Sequence, residues 1–475
     1  MTRHLIVLSA LGSVAMSVAS WWVAGLPAGW HTSGPMFGLF YLGLATALVC
    51  WLLLGRVLFV KTDPACSVTT AALRRFVLGS CAPLLFAAPF GRDLWAYAAQ
   101  GNLVRHGIDP YTHGPSAVSG VFTEQMSQRW IDSRAPYGPL WLRISHAAVA
   151  VCHEHPTIAA LLLRLPAVLG ILLWLWALPR LAERLGGRLI PALWLGLASP
   201  LTIVLGFGGG HNDLLMIGLI LAGLALTTGP TVRHLVIGAA VVGLAVMVKS
   251  PAAIAVAFTV PFWLHANGID ATVRSVVRAC AAAIVGAGAC VAALTVACGL
   301  GVGWTSQVNA DAPWISWLSL PTGLVILARL VTASSPFRVL DGALKVVRSI
   351  GEALTVAACA ALWFLALRRA PVACFAMALG VAAVLAPAVQ PWYYCWALAL
   401  AGLVVTNRRA LLALATMSVA FPIMIMPSGV GMESDVRVVP VIISAAALVW
   451  FVLARGTWHA PALPADGHRA DHARA

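Results

Sequence analysis

The ionisable residues of this chain stand out by where they fall. From Ala88 the sequence runs APFGRDLWAYAAQG: an apolar run from Phe76 to Phe90 stops at Arg92 and Asp93, and Trp95 and Tyr97 follow at once. An ionisable side chain at membrane depth is costly and marks a functional site by default. A carboxylate there is suited to taking a proton from a hydroxyl. Lys249 lies in VKSP between two apolar stretches, Arg164 in LLLRLPAVLG, Arg143 inside the apolar segment Pro139–Cys152, and His211 with Asn212 and Asp213 in GFGGGHND. Arg and Lys are the usual partners of phosphate, Arg by a bidentate fork and Lys as a point charge. Such donors also stabilise negative charge developing on a leaving group. Tyr137 in APYGPLW and Gln390, Trp392 and Tyr393 in VQPWYY add aromatic faces and polar edges suited to sugar rings or to a membrane interface.

Each of these residues also has a plainer reading. Asp93 can pair with Arg92 and anchor a helix end. Lys249 can extend its amine to outer headgroups, and Arg164 can be an ordinary interfacial arginine. Asn and Asp are good helix N-caps, so His211, Asn212 and Asp213 can simply start the next helix. Gly208–Gly210 is not a nucleotide loop, since no strand precedes it; it suits a tight backbone turn beside a ligand.

These groups sit in a very apolar chain. Its 475 residues are 61% hydrophobic and 10% charged, with a mean hydropathy of +0.90. Stretches of about 20 apolar residues, enough to span a bilayer core, recur from end to end. The expected class is an all-α polytopic membrane protein; the alternating segments of a membrane β-barrel are absent from the sequence. The net charge of +14 is read as topology, because cytoplasmic loops collect Lys and Arg, and not as a nucleic-acid surface. Arg3 and the run Leu5–Leu26 lack a cleavage site and read as a first helix. Cysteines such as Cys50, Cys81 and Cys395 lie inside apolar runs, where they act as small hydrophobes, and no pair has zinc spacing.

Membrane helices are expected near 5–26, 36–58, 71–90, 156–179, 189–206, 212–229, 233–249, 251–265, 277–301, 346–367, 371–388, 391–406, 410–427 and 437–454, about 14 in all. A cytoplasmic N-terminus puts Arg74, Arg75, Arg180, Arg184, Arg233, Arg274, Arg368, Arg408 and their neighbours inside. Pro321–Leu330 is then a half-helix or interfacial piece. The same alternation gathers 91–155, GFGGGHND, VKSP and VQPWYY on the outer side, with the loops Gly303–Leu320 and Ser428–Asp435. Within 91–155, Leu94, Tyr97, Ala98 and Leu103 have the spacing of an amphipathic interfacial helix, ended by Gly107 and Pro110. Pro139–Cys152 reads as a second interfacial helix. The expected division is 1–70 for N-terminal helices, 71–270 for a catalytic module holding the outer loop 91–155, 271–455 for a region completing its cavity, and a polar, disordered cytoplasmic tail over 456–475.

The strings GRDLWAYAAQGNLVRHGIDPYTHGP, APYGPLW, LLLRLPAVLG, GGGHNDLLMIGL, VKSPAA and QPWYY, in that order and on one expected face, resemble the GT-C glycosyltransferases. Within these they are similar to the polyprenyl-phosphomannose-dependent α-1,6-mannosyltransferases of actinobacteria, which build the mannan of lipomannan and lipoarabinomannan. The resemblance covers roughly Phe76 to Leu400. It implies a GT-C fold in the plasma membrane with the active site on the extracytoplasmic face, a polyprenyl-phosphate sugar donor, a mannosylated glycolipid acceptor and no cofactor. It implies Asp93 as the base and Arg164, Lys249, His211 and Arg143 around the donor phosphate. Arg92, Trp95, Tyr97, Asp109, Tyr111, Tyr137, Asn212, Asp213, Gln390, Trp392 and Tyr393 would contact the substrates. The sugar and linkage rest on the resemblance; arabinose or glucose would fit the same physics. Many GT-C relatives have paired acids in the first loop, whereas here Arg92 adjoins Asp93. A divalent metal would want more carboxylate oxygens than Asp93 supplies, so metal-free transfer is expected unless Asp109 or Asp213 folds back to it. A secondary transporter is the rival class, disfavoured by the lack of an internal repeat.

Overall fold

The computed structural model describes residues 1–24, 34–60, 68–307, 316–332, 337–424 and 438–454. Ser428–Asp435 and the tail lie outside the described residues. The structure is helical throughout: α1 (Thr2–Ala24), α2 (Gly34–Phe59), α3 (Thr70–Leu85), α4 (Asp93–Arg105), α5 (Val121–Gln125), α6 (Pro139–Cys152), α7 (Pro156–Leu185), α8 (Leu189–Ala192), α9 (Asp213–Thr227), α10 (Val232–Val246), α11 (Ala253–Ala266), α12 (Val273–Cys298), α13 (Leu320–Thr332), α14 (Phe337–Ala366), α15 (Pro371–Leu385), α16 (Cys395–Val404), α17 (Arg408–Ile423) and α18 (Val438–Val449). Local chemistry marks many of the ends. Thr69 and Thr272 accept from the backbone N–H groups of Ala72 and Ser275 to start α3 and α12, as N-cap residues do. Pro156 opens α7, and Gly186, at φ +71°, closes it, the left-handed stop glycine permits.

Among the described residues, five helical stretches are long and apolar enough to cross a membrane: Thr2–Trp22, Gly34–Phe59, Pro156–Leu185, Val273–Cys298 and Gly342–Ala366. Leu189–Leu197 and Leu201–Gly208, bent by 46° at Ser199–Pro200, count as a sixth if they form one span. The chain is a multi-pass membrane protein, but the count of about 14 spans is not reproduced among the described residues. Shorter apolar helices, among them α9 and α10, fall below that length. Of the 15 residues of α9, all but Leu226 are buried, and a helix of that length is as well suited to a core. The expected span 71–90 stops at Leu85, and 391–406 divides into a 3-10 turn, Pro391–Tyr394, and α16. Pro321–Leu330 lies within α13, a short helix as expected.

Two more expectations change in detail. Pro139–Cys152 is a helix with those bounds. The segment after Asp93 is also helical, but α4 is not amphipathic: Leu94 to Leu103 are all buried, because α6 and α7 pack against it. The helix therefore lies inside the protein and fixes Asp93 rigidly. The C-terminal region contributes α14, which packs on α15, and α15 in turn on α16.

A reciprocal tryptophan pair locks the amino-terminal helices to the broken segment. Trp51 and Trp194 stack with ring centroids 4.3 Å apart and planes 3° apart. Each indole N–H donates to the other's carbonyl oxygen, at 2.9 and 3.0 Å. Gly55 leaves room for this stack, since a Cβ there would stand 2.3 Å from the Trp194 ring. Gly55→Ala should therefore overpack the joint and cost about 1–3 kcal/mol, read as a lowered thermal midpoint of the detergent-solubilised protein. An unchanged midpoint would contradict this role.

Candidate functional site

Asp93 is the first residue of α4, where a carboxylate is favoured by the positive end of the helix dipole. Its side chain is 27% exposed, enough to meet a substrate. It opens onto a cavity of about 400 Å³, within the range of small-molecule sites. Lys249, Tyr137, Gln390 and Tyr393 line the same space, so five of the expected residues converge.

The segments that carry them are held by backbone contacts. Tyr137 and Lys249 form an antiparallel bridge, extended by Trp141 N–H donating to the Met247 carbonyl at 3.3 Å. Gly138 permits this approach, because a Cβ there would lie 2.2 Å from the Met247 oxygen. APYGPLW thus docks on VKSP through main chain.

Lys249 is anchored as well as exposed to the cavity. Its Nζ donates to both carboxylate oxygens of Asp213, at 3.0 and 2.8 Å. Trp396 Nε1 donates to Oδ1 of the same carboxylate at 2.7 Å. The ammonium lies 4.5 Å from the Tyr393 ring centroid, a cation–π distance. Asp213 is 1% exposed, and its carboxylate is taken up by Lys249 and Trp396. Asn212 holds the N-cap position of α9 without a side-chain cap bond, so capping does not explain HND. The Asn212 amide oxygen accepts from the Tyr97 hydroxyl at 3.4 Å.

His211 sits beneath Asp93. Its Nδ1 is 3.7 Å from Asp93 Oδ2, longer than a hydrogen bond. The ring stacks on Trp392 at 3.6 Å between centroids. Burial, and secondarily the Lys249 charge, push its pKa well below the ordinary histidine value, so the imidazole is neutral. His211 and Trp392 are buried and outside the cavity lining. Gly210, at φ +71° with its Cα against Leu94, makes the turn that places the imidazole there.

Two expected phosphate ligands are engaged elsewhere. Arg164 is fully buried and donates to the carbonyls of Ala87, at 2.6 Å, and Gly208, at 2.9 Å. It clamps the entry to Asp93 onto the glycine run. Arg143 donates from Nε to the Cys298 carbonyl at 2.7 Å, at the carboxyl end of α12, where a cation is favoured. Neither lines the cavity. The remaining expected residues do not line the cavity either. Asp109 is exposed and accepts from the Tyr111 amide at 2.9 Å, and the Tyr111 hydroxyl donates to the Tyr137 carbonyl at 3.0 Å. Tyr97 packs edge-on to Tyr137 and Trp141, with its hydroxyl pKa raised well above normal, first by burial. Trp95 is buried in the core, and Arg92, just before α4, is half-buried.

The sequence reading missed other lining residues. Gln100, two turns after Asp93 on α4, Trp396, Arg134 and Glu352 of α14 all face the cavity. Gln100 was legible in principle, at i+7 from Asp93 on one helix. Glu352 was not, because its approach depends on how distant segments pack.

Two family models match the chain. Residues 1–265 match the family model for the α-(1→6)-mannopyranosyltransferase N-terminal domain, and residues 321–455 match the MptB C-terminal domain. The chain is 33% identical to α-(1→6)-mannopyranosyltransferase A of Mycobacterium tuberculosis over 88% of its own length and 80% of that protein. It is 31% identical to the enzyme of the same name from Corynebacterium glutamicum, over 78% of this chain and 79% of that one. No solved structure matches. The chain belongs to the α-(1→6)-mannopyranosyltransferase family and is a glycosyltransferase.

Two expectations follow from the geometry. Asp213→Asn leaves a buried ammonium short of its counter-charge and should cost about 3–5 kcal/mol, whereas Asp109→Asn at the exposed turn should shift the thermal midpoint little. Comparable shifts would place the pair outside the folded core. His211 is neutral in the folded protein but protonates in the unfolded chain below about pH 6.5. Its contribution to stability is therefore complete above that pH and is lost on acidification. His211→Asn should flatten the fall in thermal midpoint between pH 7 and pH 5; an equally steep fall would contradict a buried neutral imidazole.

Proposed function

With that membership as premise, we propose that the protein transfers mannose from a polyprenyl-phosphate-mannose donor to the 6-hydroxyl of a mannosylated glycolipid, on the outer face of the plasma membrane. The observation that carries this reading is one cavity whose lining joins polar residues, Asp93, Lys249, Tyr137 and Gln390, to apolar ones, Ile254, Val356, Ala382 and Leu385. Val356 is 71% exposed on α14, so the apolar wall runs out to the lipid-facing surface. A lipid phosphate needs such a path, with its polyprenyl chain along the apolar wall and its phosphate at Lys249.

In this mechanism the acceptor hydroxyl gives its proton to Asp93 as its oxygen attacks the anomeric carbon from the face opposite the phosphate. The bond between that carbon and the phosphate oxygen breaks. The electron pair leaves with polyprenyl phosphate, whose developing charge Lys249 meets. A β-linked donor gives an α-linked product in this single displacement. Arg164 and His211 are assigned supporting roles, Arg164 fixing the loop before α4 and His211 backing the Asp93 carboxylate. Apo hydrogen bonds at catalytic groups are often long, and closure of the 3.7 Å gap between His211 and Asp93 would orient the carboxylate. The GT-C assignment, the lipomannan and lipoarabinomannan setting and metal-free catalysis belong to the same proposal.

The test is transfer of labelled mannose from synthetic polyprenyl-phosphate mannose to a short α-1,6-mannoside, with and without chelator. Asp93→Asn should lose about 10²–10⁴-fold in kcat, and wild type should keep its activity in chelator. A folded Asp93→Asn variant retaining most activity would move the base elsewhere. Inactivation of wild type by chelator would overturn the metal-free step. Lys249→Met should lower kcat with the acceptor KM unchanged; a change confined to the acceptor KM would remove Lys249 from the phosphate.

A further inference from the structure

Two cavity residues have no task in this chemistry. Asp93, Ala96 and Gln100 all line the cavity from α4, and their spacing of three and four places them in a row on one helix face. Gln100 is 5% exposed, and its Oε1 is buried without a hydrogen-bond partner. A buried acceptor left unsatisfied is destabilising unless something completes it. Glu352 reaches the same cavity from α14, a helix with an apolar spanning stretch over Gly342–Ala366. Among the described residues no hydrogen bond or ion pair engages it. A carboxylate on such a helix is retained where it faces a protein interior or a water-filled path.

We infer that Gln100 and Glu352 form the subsite for the acceptor mannose and set its reacting hydroxyl against Asp93. A carboxylate accepts from several sugar hydroxyls, and an amide both donates and accepts. The same pair is a poor partner for the donor. A second carboxylate repels an anionic phosphate, which has Lys249 at its disposal, whereas a neutral glycan meets no such penalty. This also divides the labour between the two matched regions, since Gln100 lies in 1–265 and Glu352 in 321–455. Acceptor recognition then requires both regions to be packed together. The inference rests on the mannosyl-transfer reading and deepens it by naming the acceptor's contacts.

Trp130 and Trp396 line the cavity and offer an intrinsic signal. The experiment titrates the full-length, detergent-solubilised protein with an α-1,6-mannotrioside in the absence of donor and follows tryptophan fluorescence. Wild type should bind saturably. Glu352→Gln and Gln100→Leu, on separate helices, should each weaken binding by about tenfold or more and raise the acceptor KM in transfer, with the donor KM unchanged. Wild-type thermal midpoints in the two variants would show that folding is intact. If one variant fails to fold, the other decides. Unchanged mannoside affinity, no saturable binding by wild type, or an equal rise in the donor KM would overturn the inference. Mannoside binding without any transfer from polyprenyl-phosphate mannose would sink the donor reading alone.

Discussion

The ion pair between Lys249 and Asp213 is the contact on which the site depends. Asp213 opens α9, Lys249 lies in the turn between α10 and α11, and Trp396 of α16 donates to the same carboxylate. The backbone of Lys249 is bridged to Tyr137 of the long loop. Four remote segments therefore meet at one charge pair. A buried pair is weak evidence for stability in itself, since desolvation offsets most of the attraction. Its value here is positional: it holds an ammonium at the cavity wall where a free lysine would extend to the headgroups.

A second layer of contacts serves Asp93 in the same way. Arg164 spends its guanidinium on two backbone carbonyls, joining the loop before α4 to the glycine run. His211, pressed on Trp392, stands 3.7 Å from the carboxylate. These are cationic residue types used as struts. That explains why a very apolar chain keeps arginines in segments that topology alone would leave neutral.

Much of this was legible in the sequence. GRDLW, APYGPLW, VKSP and QPWYY were expected to converge, and Asp93, Tyr137, Lys249, Gln390 and Tyr393 do share one cavity. The helix Pro139–Cys152 was bounded from its apolar run alone. Residue type alone did not show that Arg164 and Arg143 meet backbone carbonyls, because a guanidinium suits a carbonyl as well as a phosphate, and distant packing decides which it meets. Period misled at α4. Its polar residues, Gln100 and Asn102, are buried with the apolar ones, which a surface-helix pattern does not foresee. Hydropathy does not by itself set the number of spans, since a buried helix such as α9 is as apolar as a crossing one. Glu352 falls inside the expected span 346–367, but its approach to Asp93 and Gln100 depends on how distant segments pack.

The most direct measurement is a cryo-EM structure of the protein in a lipid nanodisc with a non-hydrolysable C-linked phosphonate analogue of polyprenyl-phosphate mannose. The expected result has the phosphonate within hydrogen-bond reach of Lys249 Nζ, the lipid chain along Ile254, Val356 and Leu385, and the anomeric carbon open toward Asp93. A phosphonate bound at Arg143 or Arg164, or a lipid chain entering by another wall, would contradict the account.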